Sequence, residues 1–365
     1  MKIFIINQIL YTHSDGVIPH VKTIKDTMIY QMCMGFRELG HEVTLAAASE
    51  YKPTIEEEYD FEVLWFDSVY TRLLPATLLP FSPQLKNYIK MNHPLYDLII
   101  SKEVFSISSL WASTICPKKT VLWVEQANHQ RKFHKLPSKF WFNVVAKLFM
   151  NKVKAVVPCS EKAQIYLRNY LKKTTEDIVE HGIDINKFSP ADNKKRQVVV
   201  SGQLIKRKNI ESIIEIFSRF HALDGFSDVK LLIAGRGPEE LNLKRLVETL
   251  QITDSVSFLG FLSQKDLNTY ISESLAFLVN TRADMNMVSV PESVCSCTPI
   301  IMNEVPLSSW YVKKFNLGIV KQGWGEDDLK EVIQNSRKYV ENCRQYRERL
   351  SLSCSAQLLI DIYKR

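Results

Sequence analysis

Asp284 and Glu292, with seven residues between them, and the cation run Lys206-Arg207-Lys208 carry the clearest chemistry in this sequence. Carboxylates accept hydrogen bonds from hydroxyl groups. Clustered cations beside free helix N–H groups make a clamp for a diphosphate. A third candidate group, Glu125-Gln126-Ala127-Asn128-His129, follows an apolar run. Active residues of open parallel sheets gather at such strand ends.

Strands and helix ends must place these residues. Residues 275–279 (LAFLV) read as a strand running into the Asp284–Glu292 loop. Pro291-Glu292 reads as the start of a short helix, since Pro fits the first turn and an acid suits its positive end. That end offers N–H groups to an anion. Thr298-Pro299 closes the helix, and Ile300-Ile301-Met302 is the next strand. The three cations stand at the mouth of a strand at 197–202, ahead of a helix from Ile210. A solvated basic turn is the plainer reading of the same run.

The first half opens with an apolar run at 2–7, a loop at 11–20, a helical pattern at 21–39 and a strand at 43–48. This β-loop-α-β unit begins a doubly wound α/β sheet. Residues 96–100 and 120–124 read as further buried strands. Ala155-Val156-Val157-Pro158 runs into a helix with Ser160 as N-cap. Residues 191–196 are polar and read as a linker, after which 197–202 opens a second unit. The turn Gly235-Arg236-Gly237-Pro238 is not a dinucleotide fingerprint, because Glu240 stands at the third glycine position. Residues 132–154 (KFHKLPSKFWFNVVAKLFMNKVK) mix Lys with aromatics. From Ser138 they read as an amphipathic helix with Phe140, Trp141, Val144, Leu148 and Phe149 available for burial. Such a helix either lies on an anionic membrane or faces the core with a solvated Lys face.

The loop and helix at 284–299 resemble the signature of the retaining GT-B glycosyltransferases of family four, the group 1 type. Glu292 stands at the second Glu and Thr298-Pro299 match its tail. Asp284 replaces the first Glu, Met285 and Met287 replace glycines, and Cys297 replaces another. Four more segments resemble the family in its order. They are Ser14-Asp15-Gly16-Val17 with its glycine loop, His181-Gly182-Ile183-Asp184 where Asn is usual at 181, Lys208-Asn209, and Val256 to Ser263. Gln203 stands where an Arg is usual. Glu125 occupies the place of a frequent His, so that role falls to Glu125, to His129 or to neither.

The resemblance implies two Rossmann-like domains facing each other across a cleft. Residues 1–190, with about 351–365 crossing back as a last helix, form the acceptor side. Residues 191–350 bind the nucleotide sugar. It implies retaining transfer of a sugar from a nucleoside diphosphate sugar, UDP-linked rather than GDP-linked, to a glycan or lipid-linked acceptor. Glu292 takes the ribose hydroxyls, Asp284 the transferred sugar, and Phe261 and Leu262 lie against the base. Lys208 and Arg207, with Gln203, Gly16 and the amides near Val288 and Ser289, attend the diphosphate. No metal and no cofactor are expected. A nucleotide-sugar-binding protein with little catalysis and a sugar-nucleotide epimerase of the same fold are the alternatives.

Composition agrees with a globular two-domain chain: 365 residues, 45% hydrophobic and 24% charged. A net charge of +7 suits a phosphorylated ligand or anionic lipid, and no nucleic-acid motif accompanies it. Seven scattered cysteines and no apolar run long enough to span a bilayer point to a cytoplasmic protein, peripheral at the inner membrane face if 132–154 docks there. The N-terminal run is read as a strand, not a leader.

Overall fold

The computed structural model describes residues 1–11, 23–130, 132–283 and 287–365. Gly16 and Asp284 lie outside the described residues. The chain divides into two compact units, residues 1–183 with 351–365, and residues 184–350.

In the first unit the strands are β1 (Lys2–Ile6), β2 (Glu42–Ala48), β3 (Glu62–Phe66), β4 (Leu98–Lys102), β5 (Thr120–Val124) and β6 (Ala155–Pro158). They pair in parallel in the order β3-β2-β1-β4-β5-β6. The second unit has β7 (Gln197–Ser201), β8 (Lys230–Ala234), β9 (Val256–Gly260), β10 (Ala276–Val279), β11 (Ile300–Met302) and β12 (Gly318–Val320). Their order is β12-β11-β10-β7-β8-β9, again parallel. Helices cover both faces of such sheets, which is why the central strands are nearly unbroken apolar runs. Both sheets wind the same way: two strands to one side of the first strand, then three to the other. The direction reverses beside β1 and beside β7. In this class of fold ligands bind outside the carboxyl ends of the strands at that reversal.

The helix expected over 21–39 is Met28–Glu38, and Thr27 caps it by accepting from the Tyr30 amide. The last helix, Leu352–Lys364, returns to the first unit as the sequence implied and packs on Met28–Glu38. Ala356, Leu359 and Ile360 join Met32, Cys33 and Phe36 in one core. Gly35 makes this approach possible: a Cβ there would lie 2.4 Å from the Leu352 carbonyl oxygen.

Two expectations change. The polar run 191–196 is no free linker, because the second unit holds Lys194, Lys195 and Arg196. The Lys195 amide donates to the Glu273 carbonyl at 2.7 Å, and the Lys194 ammonium donates to Ser272 O at 2.7 Å and Thr298 Oγ1 at 2.8 Å. Burial lowers the Lys194 pKa to about 8.

The second change is the buried side of 136–150. Leu136–Phe140 is an α-helix and Trp141–Met150 a π-helix. Two apolar stripes run along it at four-residue spacing. Phe142, Ala146 and Met150 face the core, while Leu136 (65%), Phe140 (63%) and Leu148 (63%) are largely exposed and Val144 is partly so. Phe142 is drawn in by the rings of Tyr166 and Tyr170, at 5.0 and 5.1 Å. Trp141 is half-buried and donates to the Val104 carbonyl.

Candidate functional site

In the second unit the carboxyl ends of β7, β8 and β9 are drawn together by backbone. Gly202 donates to Ala234 O at 3.0 Å, Leu204 to Arg236 O at 2.9 Å, and Gly235 to Gly260 O at 2.7 Å. Gly235 has φ +140°, and a Cβ there would fall 1.8 Å from Gly202 O, so only glycine fits. After β7 the chain makes the tight turn Lys206–Lys208, and Asn209 follows in the left-handed region (φ 54°). The helix Ile210–His221 then buries Ile210, Ile213, Ile214, Phe217 and Phe220, the three-and-four spacing of a core-facing stripe.

The basic turn is fastened to the end of β10. The Arg207 carbonyl accepts from the Arg282 amide at 2.8 Å and from Thr281 Oγ1 at 3.1 Å. Arg282 Nη1 donates to Lys206 O at 3.0 Å, and Asn280 Nδ2 to Ser212 Oγ at 3.0 Å. The Lys208 stem lies over Gly202: a methyl group on that glycine would meet Cε at 3.4 Å and Nζ at 3.6 Å. Gln203 and Arg207 are partly buried on either side. The cation run and the stretch leading to Asp284 therefore form one structure at the β7–β10 reversal.

Glu292 sits on the helix Ser289–Cys295, which starts two residues before the expected Pro291. Pro291 fits there because the first turn needs no N–H from it. Glu292 is 7% exposed, and its Oε1 accepts from Gln264 Nε2 at 2.8 Å. Burial raises its pKa, opposed by the Gln264 bond. Cys297, at a family glycine position, has φ 52°, the left-handed conformation glycine adopts most easily. Val288 and Ser289 open the helix, with Val288 exposed. Phe261, just after Gly260, is 75% exposed and Leu262 half-buried, an open apolar step beside the strand ends.

In the first unit Glu125 leaves the end of β5 and meets His181, Oε2 to Nε2 at 3.2 Å. Glu103, at the end of β4 in the left-handed region (φ 66°), accepts from the amides of Glu125 and Gln126 at 2.9 and 3.1 Å. It thereby fixes the exit of β5.

The family model described as Glycosyl transferases group 1 matches residues 183–351, and that described as Glycosyltransferase Family 4 matches residues 26–187. The chain belongs to the group 1 glycosyltransferases. It is 24% identical over 201 residues to an alpha-monoglucosyldiacylglycerol synthase of Streptococcus pneumoniae, covering 51% of this chain and 45% of that protein. An alpha-monoglucosyldiacylglycerol synthase of Acholeplasma laidlawii is 20% identical over 357 residues, covering 87% of this chain and 84% of that one. The chain thus spans less than half the length of the first of these curated relatives and most of the second. Among solved structures, Anabaena HepE in complex with UDP superimposes with a TM-score of 0.63 at 14% identity, covering 100% of this chain and 98% of that one.

In this chain the two first-unit candidates separate. His129 does not meet Glu125. Its Nδ1 faces Tyr166 OH at 2.8 Å and Ser138 Oγ at 3.2 Å, and its Nε2 faces Tyr170 OH at 3.2 Å. Both ring nitrogens are engaged in tying 138–170 together. The sequence points to Glu125 but not to its companions Glu103 and Lys102. A lysine and an acid ending an apolar strand are the signal it offers for them. His181 stands out in the sequence only as a departure from the family Asn.

Proposed function

We propose that this glycosyltransferase moves a sugar, with retention at the anomeric carbon, from a UDP-sugar to a glycan or lipid-linked acceptor, without a metal ion. The observation that carries this reading is the fastening of the basic turn Lys206–Lys208 to Thr281 and Arg282. Preorganised cations there stabilise the charge that develops on a leaving diphosphate, and such electrostatic stabilisation is usually the main source of rate enhancement. Lys208 supplies the ammonium, and Arg207, Gln203 and the amides near Val288 and Ser289 complete the cradle. Glu292 accepts from the ribose hydroxyls, Asp284 holds hydroxyls of the transferred sugar, and Phe261 and Leu262 lie against the base. UDP is favoured by the UDP complex of HepE, and a lipid-linked acceptor by the two glycolipid synthases among the relatives.

The acceptor reading gains from the exposed stripe Leu136, Phe140, Val144 and Leu148, flanked by exposed Lys135, Lys139 and Lys147. No described helix is long and apolar enough to cross a membrane. An apolar stripe edged with lysines suits peripheral docking on an anionic surface.

The test is a thermal-shift panel of UDP, GDP and ADP with their sugars, followed by transfer from the stabilising donor into a lipid extract. Stabilisation by UDP and a labelled glycolipid product are expected. Binding without turnover would favour a nucleotide-sugar-binding protein, and an altered nucleotide sugar would favour an epimerase.

A further inference from the structure

We propose that Lys102 and His181, with Glu125 behind the imidazole, form a subsite for one hydroxyl group of the acceptor. The assignment to an acceptor rests on the transfer reaction proposed above. The chemistry of the subsite does not.

Lys102 ends β4 and is 8% exposed. Its Nζ lies 4.0 Å from the centroid of the Trp123 ring and has no hydrogen-bond partner among the described residues. The His181 ring packs on the same indole, with centroids 4.6 Å apart. His181 Nε2 faces the Glu125 carboxylate, while Nδ1 is buried and has no hydrogen-bond partner among the described residues. A carboxylate only accepts, so Nε2 carries the proton and Nδ1 presents its lone pair. Burial, then the charge of Lys102, lower the His181 pKa against the pull of Glu125, which favours the neutral ring.

Two complementary groups are thus left unmet: an ammonium that can only donate and a ring nitrogen that can only accept. Leaving either unpaired is costly. An alcohol satisfies both, since its oxygen accepts from Nζ and its proton goes to Nδ1. A carboxylate or phosphate would suit Lys102 but meet the lone pair of Nδ1 and the acids Glu103, Glu125 and Glu180 nearby. A cation would meet Lys102 itself. The four-carbon stem of Lys102 is long enough to turn Nζ from the indole to an incoming oxygen. Side-chain exposure rises from 15% at His181 to 30% at Glu125, so the subsite as proposed takes the hydroxyl in from the Glu125 side. Glu103 contributes as a positioning residue by clamping the amides of Glu125 and Gln126. The residues proposed for the nucleotide and diphosphate, Gly16 apart, belong to the second unit, so the hydroxyl is assigned to the acceptor.

Nitrogen-15 NMR of histidine-labelled full-length protein tests this without turnover. The His181 signal is identified by its loss in His181→Asn. A neutral ring protonated at Nε2 is expected, titrating under the influence of Lys102, Glu103, Glu125, Glu180 and Cys159. Methyl glycosides and glycerol should shift the Nδ1 resonance. In Lys102→Met their apparent Kd should rise about tenfold or more, the scale of a hydrogen bond to a charged group. Glu125→Gln keeps the shape of the side chain and should perturb the tautomer. A proton on Nδ1, or no response to any of these alcohols, overturns the subsite. A response to UDP-glucose but not to methyl glycosides overturns its assignment to the acceptor. Calorimetry with UDP runs in parallel: intact UDP binding in Lys102→Met is expected. Failure of the unmutated protein to bind UDP would instead count against the donor reading.

Discussion

The Arg282 amide donates to the Arg207 carbonyl at 2.8 Å, so the end of β10 holds the basic turn after β7. The guanidinium adds a bond to Lys206 O and a loose, exposed pair with Glu211 at 3.8 Å. Arg282→Ala keeps the backbone bond and removes the other two. UDP affinity should fall about fivefold, the worth of one ordinary hydrogen bond, with little change in Tm. Calorimetry and a melting curve on the same sample decide it, and an unchanged Kd would detach Arg282 from the donor site.

Lys208 should matter more. Lys208→Ala is expected to weaken UDP binding by about 1.5–3 kcal/mol, the scale of a hydrogen bond to a charged group. Lys208→Arg should recover only part of this, because a planar fork does not reproduce an ammonium lying along Gly202. Equal UDP affinity in the alanine variant and the parent protein would remove Lys208 from the diphosphate site.

Glu292 carries a stability cost at neutral pH. Burial raises its folded pKa, so the folded state prefers the protonated acid. The stability cost is absent below the ordinary carboxylate range, grows as pH rises through the unfolded pKa, and levels off above the raised folded pKa. Glu292→Gln mimics the protonated form. Its Tm should exceed the parent's at neutral pH and converge with it in acid, while UDP binding weakens. A Tm gap that widens toward low pH would contradict this sign.

Transfer should survive chelation, because the Lys206–Lys208 turn supplies the positive charge a metal would bring. Activity assayed in excess EDTA is expected to match the untreated rate. Loss of activity that manganese or magnesium restores would overturn metal independence.

The stripe Leu136, Phe140, Val144 and Leu148 should dock on anionic vesicles and release in salt. Each nearby Lys contributes about 1 kcal/mol at such a surface. Phe140→Glu with Leu148→Glu should abolish sedimentation with phosphatidylglycerol vesicles yet leave Tm nearly unchanged, since both side chains are already exposed. Equal, negligible pelleting with neutral and anionic vesicles would argue against docking.

Much of this architecture was legible because its signals are local. Apolar runs such as Lys2–Ile6 and Lys230–Ala234 mark buried parallel strands, and the Lys208-Asn209 and Thr298-Pro299 dipeptides mark the turns around the site. What escaped depends on contacts far apart in the chain. Periodicity could not choose between Phe140-Val144-Leu148 and Phe142-Ala146-Met150, because both stripes are apolar. The choice is made by Tyr166 and Tyr170, which pack on Phe142. Likewise Glu125 and His181 are 56 residues apart, and no local pattern pairs them.

The helix Leu352–Lys364 belongs to the core of the first unit but is synthesised after the whole of the second. Translation at about 5–20 residues per second puts roughly ten to thirty seconds between the two. During that interval the face of Met28–Glu38 that carries Met32, Cys33 and Phe36 waits for its cover. The first unit, begun before the second, is therefore finished after it. A released chain ending at residue 350 should resist protease across 184–350 and be cut within the first unit.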